Sequence, residues 1–335
     1  MVSMNQVVIY HDETKNIPGS NFKGHVLFFV PVSITRESKT PMFGHETIEY
    51  SPQAVLFRVI EKIRQECTFA GKFHFSDIGG KIWTKSELAH VRVSQMVVEG
   101  LRQKGSRFFR QPLCCKLAVI IYPKLSDYSI YGGGVRKEQK FRHDETILRM
   151  LLKGASHYLY EDNNRVEVLK VFSDGQAEHR PLNEDRIIWR LTNNDVGIKT
   201  PLREYVHFSP GASIIHLSSD HKLYPIDSDE YRHANFLQVA DILLGSVIRS
   251  CFIGITRPKT WPRLGEECTT KKDVIASPVT GMLEKTKRKA GFINSGHYKS
   301  FAVSFVNFEE GGIIFKDVGI SELAISDDLQ MSFPV

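Results

Sequence analysis

Three aspartates in this sequence stand where an acidic side chain can do chemistry. Asp12 and Asp174 each come at the end of an apolar, strand-like run, and Asp241 lies in the middle of a segment that is apolar nearly all round. Burying an ionised carboxylate without a partner is strongly unfavourable, so each position needs compensation. If the three side chains meet, their mutual repulsion makes a bound divalent cation the simplest compensation.

A ligand set made of carboxylate oxygens indicates Mg²⁺ or Mn²⁺ rather than zinc. Two such ions about 4 Å apart can activate a water and stabilise the leaving oxygen in phosphodiester cleavage. Each acid also has a plainer interpretation. Asp12 could end its strand in a solvated turn, and Asp174 could be a turn aspartate. Asp241 could be a core aspartate that caps a neighbouring loop.

The apolar runs predict the elements that would position these acids. Residues 7–10 are β-branched or aromatic without polar alternation, which indicates a central strand buried on both faces. A second strand that pairs antiparallel with it is predicted at 25–32, and further strands are predicted at 115–122, 166–172 and 212–217. Helices are predicted at 52–67 (with Ser51 as N-cap), 85–104, 144–160 and 231–251. The fold class is therefore α/β, a mixed sheet flanked by helices.

Other segments lack a strong period. An irregular stretch is expected up to about residue 50, a flexible loop around Gly132–Gly134 followed by basic residues, and a short helix at 183–191. The composition of the sequence changes near residue 252. A basic loop there is followed by a predicted basic helix at 278–290 and by a hairpin or two edge strands at 301–308 and 312–318. We therefore predict a domain at 1–251 and a C-terminal extension at 252–335.

Three short motifs resemble a known family. The segments "IYHDET", "KVFSDG" and "FLQVADILLGSV" resemble the Asp-Glu-Ser-Gly opening, the intermediate strand and the late Leu-Gln-x-Ala-Asp helix of a broad family of bacterial and phage-associated domains of unknown function. That family has an RNase H-like fold. The order of Asp12, Asp174 and Asp241 on a strand, a strand and a helix matches the order of acids in RNase H-like nucleases. The resemblance covers roughly residues 5–251.

The match has departures. This chain reads Asp-Glu-Thr-Lys where the family has Asp-Glu-Ser-Gly, which leaves both acids in place. The fourth acid of RNase H-like sites has several candidates here, namely Glu13, Glu145 and Asp77. Glu13 follows Asp12 directly, and adjacent strand residues point to opposite faces. We favour Asp77 or His74 as an accessory group, while His74 could also be a packing histidine between aromatic residues.

The resemblance implies a metal-dependent nuclease (a phosphodiester hydrolase) that binds DNA or RNA, with Mg²⁺ or Mn²⁺ as cofactor, in a mobile-element or antiviral-defence setting. Asp12, Asp174 and Asp241 would be the metal ligands, with Glu13, Asp77 or His74 in support. One alternative is a non-catalytic RNase H-like module that binds nucleic acid or protein. A hydrolase of nucleotides or other small phosphorylated substrates is another, and a protein partner could direct any of the three.

Composition sets limits on these hypotheses. The 335 residues carry a net charge of +6, which is compatible with a nucleic-acid partner. No apolar run reaches the roughly 20 residues that span a bilayer, and no signal pattern opens the chain, so the cytoplasm is the default location. The five cysteines form no C-x-x-C pair. Phosphate-loop, serine-hydrolase and H-E-x-x-H motifs are missing. Basic clusters at 136–143 and 285–289 could contact a nucleic-acid backbone or simply be solvated.

Overall fold

A computed structural model describes residues 5–14, 22–40, 44–102, 108–160, 166–174, 206–209, 211–256, 260–288, 300–309 and 312–316. Its strands are β1 (Asn5–Thr14), β2 (Phe22–Pro31), β3 (Ile34–Thr40), β4 (Gly44–Tyr50), β5 (Lys116–Pro123), β6 (Val166–Asp174), β7 (Val206–Phe208), β8 (Ile214–Leu217), β9 (Phe301–Glu309) and β10 (Gly312–Lys316). Its helices are α1 (Pro52–Cys67), α2 (Lys85–Gly100), α3 (Arg136–Leu159), α4 (Asp229–Ile248) and α5 (Lys271–Arg288).

Eight of the described strands form one mixed sheet in the order β10-β9-β5-β2-β1-β6-β7, with β8 also paired to β6. The strand β1 is antiparallel to β2 and parallel to β6, as the predicted central strand requires. Its apolar run is buried, with Val7, Ile9 and Tyr10 each at 0% exposure. The α/β class and the antiparallel pairing of the first two strands are therefore confirmed.

Helices cover both faces of the sheet. Because side chains alternate along a strand, Val8 and Tyr10 of β1 join a core with α1, α2, α4 and α5, whereas Val7 and Ile9 join a second core with α3. We call these the α4 face and the α3 face. Asp12 follows Tyr10 by two residues and therefore lies on the α4 face.

Local signals set several helix boundaries. Ser51 accepts a hydrogen bond from Ala54 N, Pro52 begins α1, and the helix ends at Cys67 as predicted. The helix α2 begins with a capping box formed by Thr84 and Glu87. Two other expectations were wrong. The basic residues from Arg136 onward begin α3 rather than a loop, and the stretch before residue 50 forms the two-stranded β3–β4 hairpin instead of irregular structure.

The segments after residue 252 continue the main architecture. The predicted hairpin is present as β9 and β10, and β9 pairs parallel with β5. The helix α5 packs against α2 and α4. The position of a domain boundary stays a prediction, and the helix predicted at 183–191 lies outside the described residues. Within the described ranges, no helix has the length and apolarity needed to cross a membrane.

Candidate functional site

Two of the three aspartates end neighbouring parallel strands. In the β1–β6 pair, Tyr10 lies opposite Phe172 and His11 opposite Ser173. The next residues are Asp12 and Asp174, which therefore lie side by side on strands that run about 4.8 Å apart. Both follow an α4-face aromatic residue by two positions, so both carboxylates are directed to the α4 face.

The third aspartate is brought to the same place by α4, which packs across β1 and β2. Burial raises the pKa of Asp12 well above its usual value, and the negative charges of Asp241 and Asp174 raise it further. Burial likewise raises the pKa of Asp241, and the negative charge of Asp174 raises it further. The three predicted acids therefore lie near enough, at one end of the sheet, for the charges of Asp174 and Asp241 to raise the pKa of Asp12.

Protein donors hold each carboxylate. Asp12 Oδ1 accepts a hydrogen bond from Glu13 N at 2.8 Å. Asp174 accepts two, from Ser219 N at 2.9 Å and from Ser219 Oγ at 2.7 Å. These bonds fix the direction of both side chains, and Ser219 belongs to a loop at 218–224 that precedes α4.

Asp241 is held by a second loop, at 69–77, between α1 and α2. Phe75 N donates to Asp241 Oδ2 at 2.6 Å. The loop comes this close because Gly245, one turn after Asp241 on α4, has no side chain. A Cβ there would lie 2.3 Å from the Phe75 ring. Asp241 thus caps a neighbouring loop and faces the other acids at the same time.

The same loop presents a histidine to the acids. His74 Nε2 lies 3.6 Å from Asp241 Oδ1, and His74 Nδ1 lies 2.9 Å from Asp77 Oδ1. Slight burial alone would raise the pKa of Asp77, but the hydrogen bond and charge of His74 bring it below its usual value. The His74 ring is 31% exposed, so it is accessible to a ligand.

The remaining candidates for a fourth acid lie elsewhere. Glu13 pairs with His25 across β1 and β2, on the α3 face, where its charge raises the already elevated pKa of buried Tyr122. Glu145 is buried on α3. Of the supporting acids considered from the sequence, Asp77 alone is on the α4 side with Asp12.

The aspartate oxygens at the end of the sheet are potential ligands for a divalent cation. Among the residues that the structure describes, no three histidine, cysteine or acidic side chains lie close enough together to hold one ion. Magnesium needs less than that, because it keeps several waters and is commonly bound by one or two carboxylates together with substrate phosphates. Three mutually repelling carboxylates without sulfur or a dominant imidazole have the chemistry that Mg²⁺ or Mn²⁺ prefers.

Lysines flank the acids. Lys72, in the 69–77 loop, is near enough for its charge to lower the pKa of Asp77 and to oppose the rise at Asp241. Lys272 of α5 donates to Ser76 O at 3.3 Å. The basic cluster predicted at 136–143 lies instead on α3, beyond the opposite face of the sheet, and its His143 is buried. The side chains of the 285–289 cluster lie outside the described residues.

Several members of the site were not found from the sequence. Ser219 carries no local signal, because it meets Asp174 across 45 residues, and the Phe75 amide meets Asp241 across 166. Gln238 precedes Asp241 by three residues in "FLQVAD", but nothing in the sequence indicates what it contacts.

Comparisons with known proteins add no relative: no protein-family model matches the chain, and neither a curated protein nor a solved structure does. The functional argument therefore depends on the residues and their geometry.

Proposed function

We propose that this protein is a divalent-metal-dependent nuclease of RNase H-like fold that cleaves phosphodiester bonds in DNA or RNA. One observation carries the proposal. Asp12, Asp174 and Asp241 lie on the α4 side at one end of the sheet, where burial and the charges of the other two raise the pKa of Asp12. A functional reason is the best account of one buried and two half-buried acids that repel one another.

The topology supports the RNase H-like assignment. Three antiparallel neighbours, β5, β2 and β1, are followed across the sheet by the parallel strands β6 and β7, with β8 also parallel to β6. The acids stand at the ends of β1 and β6 and on α4, which is the strand, strand, helix order expected from the motifs. This arrangement places them at the carboxyl ends of parallel strands, where open α/β sheets bind ligands.

One or two of the three aspartates, together with substrate phosphates and waters, would hold the cation. When bound, Mg²⁺ or Mn²⁺ supplies Lewis-acid stabilisation of the phosphate oxygens and lowers the pKa of a water. Ser219 keeps Asp174 directed to the site through two hydrogen bonds, and Phe75 N does the same for Asp241. Because these donors leave little freedom to the carboxylates, the ligand geometry is set before substrate arrives.

His74 would assist the chemistry from the edge of the site. His74 Nδ1 lies 2.9 Å from Asp77 Oδ1, and Nε2 lies 3.6 Å from Asp241 Oδ1. An imidazole held this way can accept a proton from a water or hydrogen-bond a phosphate oxygen. Lys72 and Lys272 would contact the nucleic-acid backbone, which predicts binding that weakens as salt rises.

The test is a cleavage assay on single- and double-stranded DNA and RNA with Mg²⁺ or Mn²⁺, with EDTA as the metal-free control. Asp12→Ala and Asp241→Ala are expected to abolish cleavage and to weaken Mn²⁺ binding measured by calorimetry. Asp229→Ala is the matched control, because Asp229 is an acid on the same helix as Asp241 whose side chain is 75% exposed. Cleavage that persists in both site variants would refute the proposal.

A non-catalytic RNase H-like module that binds nucleic acid or protein is the second candidate. The observation in its favour is that Asp174 and Asp241 each hold a loop, which is a structural task in itself. This candidate predicts salt-sensitive nucleic-acid binding without turnover in any metal. It also predicts that Asp241→Ala lowers stability without changing affinity for nucleic acid.

A further inference from the structure

Gln238 anchors the 69–77 loop to α4. Its side chain is completely buried, one turn before Asp241 on the same helix. Its Oε1 accepts hydrogen bonds from Phe73 N and from Arg64 Nη2, both at 2.9 Å. Phe73 precedes Phe75, the donor to Asp241, by two residues. The amide oxygen of Gln238 therefore fixes the loop segment that holds Asp241.

The other end of the same amide anchors the 218–224 loop. Gln238 Nε2 donates to Ser219 O at 2.6 Å and to His221 Nδ1 at 2.9 Å. Ser219 is also the residue whose N–H and hydroxyl hold Asp174. Ser219 thus contacts Gln238 through its carbonyl oxygen and Asp174 through its N–H and hydroxyl groups.

A primary amide offers two acceptor lone pairs and two N–H donors. Gln238 uses all four: Oε1 accepts from Phe73 of the 69–77 loop and from Arg64 of α1, and Nε2 donates twice to the 218–224 loop. A buried polar group that is fully bonded holds its partners in one arrangement. We infer that Gln238 is a positioning residue, which fixes Asp174 and Asp241 relative to each other by joining the two loops that hold them. The consequence for metal binding rests on the proposed function, whereas the link between the loops does not.

The substitution Gln238→Glu tests this link with little change in shape. A carboxylate at this position still accepts from Arg64 and Phe73. The ionised form, which the adjacent Arg64 guanidinium favours, cannot donate to Ser219 O, and its second oxygen would face that carbonyl oxygen. The bond to the 218–224 loop is then replaced by repulsion. The variant therefore releases one loop and keeps the other.

The matched control is Asn235→Asp. Asn235 is equally buried on α4, one turn before Gln238, and its Oδ1 accepts from Arg64 Nε at 3.2 Å and from Nη2 at 2.8 Å. Its Nδ2 donates only within the helix, to Tyr231 O. The control thus makes the same amide-to-carboxylate change beside Arg64 without touching Ser219.

Two measurements are made on the wild type and both variants. Amide hydrogen exchange, recorded without metal, is expected to become about tenfold faster in the 218–224 loop of Gln238→Glu and to change little in Asn235→Asp. Calorimetric titration with Mn²⁺ is expected to show about tenfold weaker binding in Gln238→Glu alone.

Unchanged exchange in the 218–224 loop of Gln238→Glu would overturn the inference, and so would equal acceleration in Asn235→Asp, which would indicate general weakening of α4. Faster exchange with unaltered Mn²⁺ affinity would overturn the positioning role. A wild-type protein that binds no Mn²⁺ would refute the proposed function instead, and the exchange data would then decide on the link between the loops.

Discussion

His11 and Asp12 are neighbours on β1, yet they face two differently organised regions. On the α3 face, buried side chains form a chain of hydrogen bonds. Ser173 Oγ lies 2.8 Å from His11 Nδ1, and His11 Nε2 lies 2.8 Å from His25 Nδ1. The chain continues from His25 Nε2 to Tyr122 Oη at 2.7 Å, and Tyr122 donates to Asp144 Oδ1 at 3.2 Å. Burial lowers the pKa of His11 to about 3 and also lowers that of His25, so both rings are neutral. Each neutral ring has one donor and one acceptor, so the donors run in one direction from Ser173 to Asp144.

The α4 face has the opposite character. Its three carboxylates carry like charges, and the pKa of Asp12 is raised partly because its neighbours are acids. On the α3 face, the hydrogen-bonded chain ends at one carboxylate, that of Asp144. A cation lies beside it, because Lys23 Nζ is 3.6 Å from Asp144 Oδ2. The difference teaches that a buried polar group alone does not mark a site. The mark is a set of like charges that the protein compensates only in part.

Breaking the compensation on the α3 face gives the largest expected effect. Asp144→Ala leaves Lys23 as an uncompensated buried cation, and we expect the free energy of unfolding to fall by about 3–5 kcal/mol in urea titrations. Glu138→Ala is the control on the same helix, because its surface pair with Arg142 is worth less than about 0.5 kcal/mol. A loss below about 1 kcal/mol for Asp144→Ala would mean that the pair does not compensate the face.

Protonation tests the same face. Burial lowers the pKa of His143, which bonds Tyr131 Oη at 2.8 Å, to about 4, with a further contribution from Lys23. Between pH 6.5 and 4 the unfolded chain binds a proton that the folded protein does not, so stability falls as the pH falls. In urea titrations at pH 7 and 4.5, we expect the drop to be about 2 kcal/mol smaller in His143→Gln than in the wild type. Equal drops would show that His143 is not held neutral.

On the α4 face a substitution is expected to stabilise. Asp12→Asn removes one of three like charges, so in EDTA at neutral pH we expect a gain of about 1 kcal/mol in the free energy of unfolding. Saturating Mg²⁺ should reverse the order, because the wild type then gains more from the ion. Thermal unfolding with and without the metal measures both. If Asp12→Asn destabilises the protein in EDTA, the acids are compensated after all.

The smallest effect is expected at the neighbour of Asp12. Glu13→Gln changes an acid that lies on the α3 face, so Mn²⁺ affinity should stay within about twofold of the wild type, since surface or remote charges contribute little. Calorimetric titration of both proteins provides the comparison. If Glu13→Gln lowered Mn²⁺ affinity as much as Asp12→Asn does, Glu13 would have to be counted among the residues of the site.

The sequence predicted best where the signal is local. The apolar run of β1 and the Ser51–Pro52 start of α1 are contained in a few neighbouring residues, and both were predicted correctly. The places of Asp12 and Asp174 at strand ends followed from the same runs. The sequence predicted only part of the position of Glu13. Strand alternation places Glu13 and Asp12 on opposite faces of the sheet, but it does not indicate which face α4 covers.

Long-range contacts were beyond the sequence. Nothing near Gln238 indicates that it reaches Phe73 across 165 residues and Ser219 across 19. The start of α3 was missed because Gly132–Gly134 and the basic residues that follow suggested a loop. In the structure Arg142 donates to the carbonyls of Tyr131 and Gly133 and thereby secures that turn against the helix.

The place of β9 in the sheet has a consequence for how the chain is made. The strand lies between β5 and β10 and is synthesised about 180 residues after its partner β5. Until β9 emerges from the ribosome, β5 has an open edge with an apolar sequence, and such an edge is a template for pairing with other chains. We therefore expect a chain that ends before Phe301 to aggregate through the open edge of β5.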